Sequence, residues 1–313
     1  MKKAIITGAG GFLGRYVTEA FLQAHYHVVA LGRKNNTTSG KSPQIYCDLS
    51  EDVPIFPAET FDKVVHIAGK AHVFPKSKAE AEDFFKVNTE GTRNLLSGLD
   101  KQNIRPGVFV FVSTVAVYGL VEGENIKENH PTNANTPYGE SKLKAEELVQ
   151  NWCTKNSVNC LILRLPLIAG ENPPGNLGDM KNAIKNGMYF SIKNNTAKKS
   201  VVIASDIARL IAKTESISGI YHLTDGIHPD FQEIESAIEK RLNKRIIVVI
   251  PRFIINIMAK VGDTLSYITK KDMPISSLRL KKLISSLTFN DEKARKELGW
   301  NPDSSTDYIS KYI

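Results

Sequence analysis

The chain has 313 residues, of which 42% are hydrophobic, enough for one large α/β domain with a smaller appendage or for two domains. Its longest apolar runs carry charges and are too short to span a bilayer, no signal peptide is recognised, and its three cysteines lack metal or disulfide spacing, so we expect a cytoplasmic protein without membrane insertion. The net charge of +8 comes from scattered basic residues, denser only at 279–283 and not interleaved with aromatic ones, which argues against a nucleic-acid partner but fits a phosphate-rich small ligand.

Short apolar runs alternate with longer helical patterns over the first 165 residues. The runs lie at 4–7, 27–31, 45–47, 63–68, 108–113 and 160–165, and the helical patterns near 12–24, 79–99 and 137–156. Strands that are apolar throughout and separated by helices are typical of a parallel sheet with right-handed crossovers. The sequence therefore predicts an α/β fold, with a Rossmann-type doubly wound parallel sheet forming a dinucleotide-binding domain over 1–165.

Beyond Leu165 the pattern changes to a loop rich in proline and glycine and then to short elements of mixed polarity. We predict a smaller C-terminal lid over 166–313 that mainly binds substrate, with some segments returning to the sheet. One stretch, 251–268, is amphipathic and has basic residues. Such a helix can lie on a membrane surface, but a lid helix that packs its Phe, Ile and Met side chains on the core is the favoured interpretation.

A glycine turn follows the first predicted strand. Gly8, Gly11 and Gly14 lie in TGAGGFLG at 7–14, between that strand and an amphipathic helix. In this context Gly8 permits the tight turn, Gly11 lets the backbone approach a pyrophosphate, and the helix N-terminus offers it N–H groups and a positive partial charge. The turn predicts a dinucleotide cofactor.

The end of the second predicted strand bears on which dinucleotide is bound. Residues 30–36 read ALGRKNN, so Arg33 and Lys34 stand where a carboxylate would take the adenosine ribose hydroxyls of NAD. Arginine can meet the extra phosphate of NADP with two parallel hydrogen bonds. NADP is therefore slightly preferred, while NAD remains open because Arg33 can also stack on adenine or lie in solvent.

Hydroxyl, phenol and ammonium groups are predicted to converge where the fifth strand ends. Ser113 and Thr114 close that strand, and Tyr138 and Lys142, four residues apart, begin the next helix after a Thr-Pro start. Hydride chemistry at a carbinol carbon needs a group that moves the hydroxyl proton, and a nearby ammonium can lower the high pKa of a phenol. We predict Tyr138 as general acid or base, tuned by Lys142, with Thr114 polarising the substrate oxygen and Ser113 sharing that task.

These motifs together resemble a known superfamily. TGAGGFLG, STVAVYG at 113–119 and YGESK at 138–142 are similar, in this order, to the extended short-chain dehydrogenase/reductase superfamily and its NAD-dependent epimerase/dehydratase family. The resemblance covers nearly the whole chain. It implies further cofactor contacts from Phe12 and Leu13 in the turn, Asp48 and Leu49 near adenine, Ala68 and Gly69 near the diphosphate and ribose, and Leu165 near the carboxamide.

The resemblance also implies substrate contacts. Asn88 matches a helix asparagine near the active site, and Asn176 and Leu177 match positions that hold a uridine diphosphate in nucleotide-sugar members. Lys199 stands where an arginine often binds the diphosphate; lysine keeps the charge but not the bidentate fork. The other interpretation is a helix cap for Asn176 and a surface charge for Lys199. A UDP-sugar substrate and a homodimer formed through the helices at 79–99 and 137–156 are expected on the same grounds.

One departure from the family narrows the chemistry. Val115 and Ala116 follow Thr114 where 4,6-dehydratases carry an Asp-Glu pair, and neither can move a proton, so dehydration is not expected. A 4-keto-deoxyhexosamine reductase of bacterial polysaccharide synthesis is the first expectation, because Arg33 favours an exchangeable NADP. A UDP-hexose or UDP-N-acetylhexosamine 4-epimerase with NAD is the alternative, and a non-catalytic dinucleotide-binding regulator is a third. The histidines are dispersed without metal-ligand spacing, so no metal is expected.

Overall fold

Seven parallel strands form the central sheet in the computed structural model, which describes residues 1–33, 42–269 and 276–313. In spatial order they are β11 (Gly219–His222), β7 (Asn159–Leu165), β5 (Val108–Thr114), β4 (Lys63–His66), β1 (Lys3–Thr7), β2 (His27–Gly32) and β3 (Gln44–Tyr46). Every neighbouring pair is parallel. The strand order reverses between β1 and β4, which creates a crevice at the carboxyl ends of these strands.

Consecutive side chains along each strand serve the two faces of the sheet. On one face Ala4 and Ile6 of β1 pack with apolar residues of α1 (Phe12–Gln23) and α6 (Ala204–Lys213). On the other, Ile5 packs with residues of α3 (Gly91–Lys101) and α4 (Pro137–Asn156). Because both faces are covered, the strands are apolar throughout, which is the pattern that predicted the Rossmann-type sheet. The predicted fold class is confirmed.

The helical pattern near 79–99 folds as three pieces. They are α2 (Lys78–Phe84), a π-helical segment (Phe85–Glu90) and α3. Ser77 caps α2 by accepting a hydrogen bond from the Glu80 N–H. The π-helical segment contains Asn88 and Thr89, which bond to α4 as described below, so the irregular turn adjusts this helix to its neighbour.

The later half of the chain adds three small parallel pairs of strands. They are β8 (Leu167–Ala169) with β10 (Val201–Ile203), β9 (Phe190–Ile192) with β12 (Val248–Ile250), and β6 (Gly123–Ile126) with β13 (Leu287–Phe289). The remaining helices are α5 (Asn176–Lys185), α7 (Phe231–Leu242), α8 (Arg252–Thr269), α9 (Ser277–Ile284), α10 (Glu292–Leu298) and α11 (Ser305–Tyr312). Of these later segments, β11 returns to the central sheet beside β7. The domain boundary at 165 stays a prediction.

Helix α8 differs from the favoured interpretation of its sequence. Among its Phe, Ile and Met side chains, Ile255 is buried, whereas Phe253 is 66% exposed and Ile257 is 59% exposed. The expectation that these residues pack together on the core is therefore wrong for most of the helix. No helix within the described residues combines the length and the apolarity needed to cross a bilayer.

Candidate active site

The glycine turn lies at the point where the strand order reverses. Gly8 has φ +68°, and a Cβ atom there would lie 2.8 Å from the Ala68 nitrogen across the crevice. A Cβ on Gly14 would lie 2.0 Å from the Gly8 carbonyl oxygen. Both positions therefore exclude larger side chains. Helix α1 begins after Gly11, and no side chain caps it. The first N–H groups of the helix therefore have no side-chain acceptor at the glycine turn.

These features fit a dinucleotide pyrophosphate. The cradle between Gly8 and Gly14 would be filled by a Cβ, and the uncapped start of α1 offers N–H donors with the positive end of the helix dipole. Phe12 and Leu13 belong to this first turn. The Leu13 side chain is buried in the core, so a contact of Leu13 with a ligand would have to come from its backbone. The Phe12 ring packs edge-on against the Tyr16 ring, with centroids 5.8 Å apart.

A shallow depression with a volume of about 10 Å³ lies between the glycine turn, the end of β2 and the start of β3. Its lining includes Ala9, Gly32 and Arg33. Arg33 is exposed, and its positive charge helps to hold the pKa of Asp48 below its usual range, although hydrogen bonds from Ser50 contribute most. The structure thus places the predicted Arg33 and Asp48 near one another at the expected adenosine end. Lys34, the other half of the NADP argument, lies outside the described residues.

The loop 67–70 after β4 is held from both sides. The Thr7 hydroxyl accepts hydrogen bonds from the Ile67 and Ala68 N–H groups, both at 3.1 Å. A Cβ on Gly69 would lie 2.9 Å from the Asn88 side-chain oxygen. This clamping ends β4 at His66, two residues earlier than the apolar run predicted, because the next N–H groups bond to Thr7 instead of a neighbouring strand.

His66 anchors this loop from below. Its ring lies 2.6 Å from the Thr7 hydroxyl and 2.9 Å from the Thr92 hydroxyl, and burial lowers the pKa of His66 to about 3. The imidazole is therefore neutral at pH 7 and serves as a link between two hydroxyl groups, not as a proton donor to substrate.

Asn88 has a positioning role in the structure. It is buried, its side-chain oxygen accepts a bond from the Lys70 N–H at 2.7 Å, and its amide donates to the Lys70 carbonyl and to the Ser141 hydroxyl. All of its polar atoms are thus engaged with the loop and with α4. Asn88 joins the loop 67–70 to the helix that carries Tyr138, and its substrate contact stays a prediction.

Thr114, Tyr138 and Lys142 lie on two adjoining elements, β5 and α4. Thr114 ends β5, and Tyr138 and Lys142 lie one turn apart in the first turns of α4, whose N-cap Thr136 accepts a bond from the Gly139 N–H at 3.2 Å. The Thr114 hydroxyl lies near the Tyr138 phenol and acts to lower its pKa. The Lys142 ammonium is buried and lies 4.0 Å from the centroid of the Phe111 ring.

The electrostatics of the pair differ from the simple expectation. Burial raises the pKa of Tyr138, and the neighbouring Thr114 hydroxyl lowers it only in part. Burial also lowers the pKa of Lys142 to about 7, against the opposing effect of Glu146. Thr114, and not Lys142, is thus the side chain that favours the phenolate in this structure. The tuning role of Lys142 stays a prediction.

Ser113 faces away from this group. It is buried, and its hydroxyl donates to the Glu146 carboxylate. Adjacent residues of a strand point to opposite faces, so Ser113 and Thr114 cannot both reach one substrate oxygen. The prediction that Ser113 shares the task of Thr114 is not met by this geometry.

Glu146 of α4 and Arg164 of β7 form a buried ion pair. Their closest N···O distance is 2.7 Å, and both side chains are at most 6% exposed. Arg164 also donates to the Tyr118 hydroxyl, which lies 2.7 Å from a ring nitrogen of His222. Two signals in the sequence could have found this network: Glu146 lies four residues after Lys142, and Arg164 interrupts a buried apolar strand, where a charge needs a partner.

The ligand contacts of the remaining predicted residues stay predictions, and the structure places these residues in different surroundings. Leu49 and Leu165 are core residues, and Leu177 is 2% exposed in the cluster formed by α5, α7 and α11. Asn176 is exposed at the start of α5 without capping it. The Lys199 ammonium donates to the Lys282 and Ser285 carbonyls, at 2.9 and 2.7 Å, which commits two of its three donors to the end of α9.

The described residues hold no group of three or more His, Cys, Asp or Glu side chains arranged to bind a metal ion. The catalytic candidates therefore stand on the hydroxyl, phenol and ammonium groups at the ends of β5 and α4, beside the glycine turn.

Three known proteins share most of this chain. The chain is 29% identical over 299 residues, covering 92% of itself and 87% of the relative, to N-acetyl-alpha-D-glucosaminyl-diphospho-ditrans,octacis-undecaprenol 4-epimerase from Escherichia coli O157:H7. It is 24% identical over 322 residues, covering 97% and 92%, to UDP-glucose 4-epimerase from Dictyostelium discoideum. The structure of UDP-glucuronic acid 4-epimerase from Bacillus cereus in complex with NAD matches with a TM-score of 0.75 and 18% identity, over 99% of this chain and 95% of that one.

The family model described as "NAD dependent epimerase/dehydratase family" matches residues 4–236, which include the glycine turn, Thr114, Tyr138 and Lys142. This protein therefore belongs to the NAD dependent epimerase/dehydratase family.

Proposed function

We propose that this protein is an NAD-dependent 4-epimerase of a sugar carried on a diphosphate, with a UDP-hexose or UDP-N-acetylhexosamine as the first substrate class. The observation that carries the proposal is the group formed by Thr114, Tyr138 and Lys142 beside the glycine turn, with Val115 and Ala116 in place of carboxylates. The two sequence relatives described above, both named as 4-epimerases, support this activity over other activities of the family.

The side chains account for the proton half of such a reaction. Bound NAD supplies the chemistry of accepting a hydride from the sugar carbon and returning it. Tyr138 takes the proton of the sugar hydroxyl and later gives it back, and the neighbouring Thr114 hydroxyl favours the ionised form of the phenol. Lys142 lies one turn further along α4 and is proposed to hold the cofactor ribose. With no acid-base residue after Thr114, the chain has no group there to eliminate water.

A 4-ketoreductase that uses NADP is the second candidate, and Arg33 at the expected adenosine end is the observation in its favour. The comparisons support the epimerase better. In both cases the proton chemistry of Tyr138 is the same, so the two candidates differ in whether the cofactor leaves after one hydride transfer.

The carrier of the sugar is a separate question. One relative is named for an undecaprenol-diphosphate substrate and the other for UDP-glucose. Both substrate types place a sugar on a diphosphate, so the proposal covers sugar diphosphates, and UDP-N-acetylglucosamine is the first compound to test.

The deciding experiment incubates the purified protein with UDP-N-acetylglucosamine or UDP-glucose and separates the 4-epimers by chromatography. An epimerase interconverts them without net change in NADH absorbance. A reductase leaves them unchanged and oxidises NADPH in proportion to an added UDP-4-keto-6-deoxy-N-acetylhexosamine. If the protein neither interconverts the epimers nor oxidises NADPH with any of these substrates, the proposal is contradicted for UDP carriers.

Replacing Tyr138 with Phe separates the chemical role of the phenol from its packing. We expect Tyr138→Phe to lower turnover by about a thousandfold, since a positioned proton-transfer group contributes on this order. The fold should persist, because the ring still packs against Phe84, with centroids 6.1 Å apart. Turnover within a few-fold of the wild type would remove the acid-base role.

A further inference from the structure

Helix α8 has three distinct faces. Ile255, Ala259 and Gly262 form the buried face, which packs in a small separate core with Leu280 of α9 and Ile192 of β9. Polar residues, among them Asn256, Lys260 and Asp263, form a second face. The third face is apolar and has no covering element among the described residues.

The third face is continuous along the helix. Its members follow the spacing of one helix side, and their exposed fractions are 66% for Phe253, 59% for Ile257, 52% for Val261, 44% for Leu265 and 68% for Ile268. Ile254 and Met258 add to it, and the exposed Ile247, Val248 and Val249 precede the helix directly. A contiguous exposed apolar stripe of this kind marks an interaction surface.

The charge of residues 244–284 indicates what kind of partner the apolar face of α8 contacts. Residues 244–284 contain nine Lys or Arg and two Asp or Glu, which is nearly all of the net charge of +8 of the chain. Lys244, Arg245, Arg252, Lys260 and Lys282 are exposed in the structure, as is Lys281, which forms an ion pair with Glu122. The acidic residue of the described part, Asp263, accepts a hydrogen bond from the Ser277 N–H. The apolar stripe is therefore flanked by an excess of positive charge.

We propose that α8 docks on the surface of an anionic phospholipid bilayer, with its axis in the plane of the interface and its apolar face among the acyl chains. A helix with one apolar face and a basic polar surface has this behaviour, and each nearby Lys or Arg adds attraction to acidic headgroups. A symmetric contact with a second copy is disfavoured, because it would bring two strongly basic segments together. The predicted dimer faces at 79–99 and 137–156 lie on other helices.

This inference does not depend on the proposed catalytic function. It places the protein on a membrane surface without a spanning segment, and it leaves the reaction at Tyr138 unchanged. The amphipathic pattern at 251–268 admitted this interpretation, and the exposed fractions of its side chains now favour it over packing on the core.

The test is flotation of the full-length protein with phosphatidylcholine vesicles, with and without about one third phosphatidylglycerol. We expect the protein to float with the anionic vesicles and not with the neutral ones, and to be released as salt screens the headgroups. Ile257→Asp should lower the bound fraction by about tenfold, because it places a charge in the apolar face. Ile55→Asp is the matched control, since Ile55 is 81% exposed in the dinucleotide-binding half, and it should bind as the wild type does.

Sedimentation velocity of the same proteins tests whether a second copy of the chain, and not a membrane, covers the apolar face of α8. Failure of the wild type to float with anionic vesicles overturns the proposal, and so does unchanged flotation of Ile257→Asp. A wild-type oligomer that Ile257→Asp dissociates, without vesicle binding, would assign the face to a second copy and also overturn it. Epimerase activity on a soluble UDP-sugar should be equal in Ile257→Asp and Ile55→Asp, so this test and that of the catalytic proposal fail independently.

Discussion

The two halves of the chain treat their predicted functional residues differently. Thr114 lies at the carboxyl end of a central strand, and Tyr138 and Lys142 lie in the first turns of the helix packed beside that strand. In the later half, Leu177 enters the core and Lys199 bonds to carbonyls of α9. Parallel strands bring their ends to one edge whatever the loops do. Loop residues have no such constraint, so a motif matched there identifies a position in the chain and leaves the direction of its side chain open.

The largest expected effect comes from breaking the buried ion pair between Glu146 of α4 and Arg164 of β7. Glu146→Gln should lower the free energy of unfolding by about 3–5 kcal/mol, because it leaves Arg164 as a buried charge without a counter-charge. Chemical denaturation measures the change. Arg164 and Glu146 are at most 6% exposed, so solvent does little to replace the lost carboxylate.

Two controls accompany this prediction. Glu147→Gln changes the exposed neighbour of Glu146 and should shift stability by less than about 0.5 kcal/mol. The double variant Glu146→Gln with Arg164→Met should recover most of the loss, since removing both charges of a buried pair costs little. A Glu146→Gln protein as stable as the wild type would mean that this ion pair does not hold the site together.

The next effect compares the two hydroxyl groups at the end of β5. Thr114→Ala should lower turnover by about a hundredfold, because the phenol loses the neighbouring hydroxyl that favours its ionised form. Ser113→Ala should change turnover by less than about threefold and cost about 1 kcal/mol of stability, because it removes a bond to Glu146. Steady-state kinetics of both variants with one UDP-sugar decide the point. Equal losses in the two would contradict the opposite orientations of these side chains.

Lys199 tests the later half. Lys199→Met should cost about 2 kcal/mol, because the Lys282 and Ser285 carbonyls each lose a donor. The exposed Lys198 provides a matched control, and Lys198→Met should leave stability unchanged. Calorimetric titration with UDP supplies the second measurement. A roughly tenfold loss of UDP affinity in Lys199→Met at unchanged stability would support the predicted contact between Lys199 and a diphosphate. It would also mean that the bonds of Lys199 to the two carbonyls contribute little to stability.

Much of the catalytic half was predictable because its signals are local. The apolar runs gave the strands, and the spacing of Tyr138 and Lys142 gave a shared helix face. The partners of Ser113 and Asn88 were not predictable, because each bonds to a residue distant in sequence whose direction depends on packing. Glu146 was within reach of the same spacing argument. The exposed face of α8 could not be inferred from periodicity, since an amphipathic pattern reports that one side is apolar and does not report what covers it.

Burial of Lys142 also makes stability depend on pH, and the expected change in the free energy of unfolding per pH unit is the smallest of the effects predicted here. Burial lowers the pKa of Lys142 to about 7 in the folded protein, from 10.5. Between these values the unfolded chain binds the proton and the folded protein does not, so the free energy of unfolding rises with pH, by at most about 1.4 kcal/mol per unit. Below the folded pKa both states are protonated, and the full cost of the buried ammonium is present.

Comparison with Lys142→Met isolates this contribution, because Lys63 and Lys199 titrate in the same direction in both proteins, with each pKa lowered to about 8 by burial. We expect the stability of the wild type, relative to Lys142→Met, to increase from about pH 7 to about pH 10 in urea denaturation series. Lys144→Met, at an exposed position of the same helix, should follow the wild type throughout. Parallel curves for the wild type and Lys142→Met would mean that the ammonium is well solvated beside Tyr138, and the phenol would then lack the low-dielectric surroundings in which a neighbouring charge acts strongly on it.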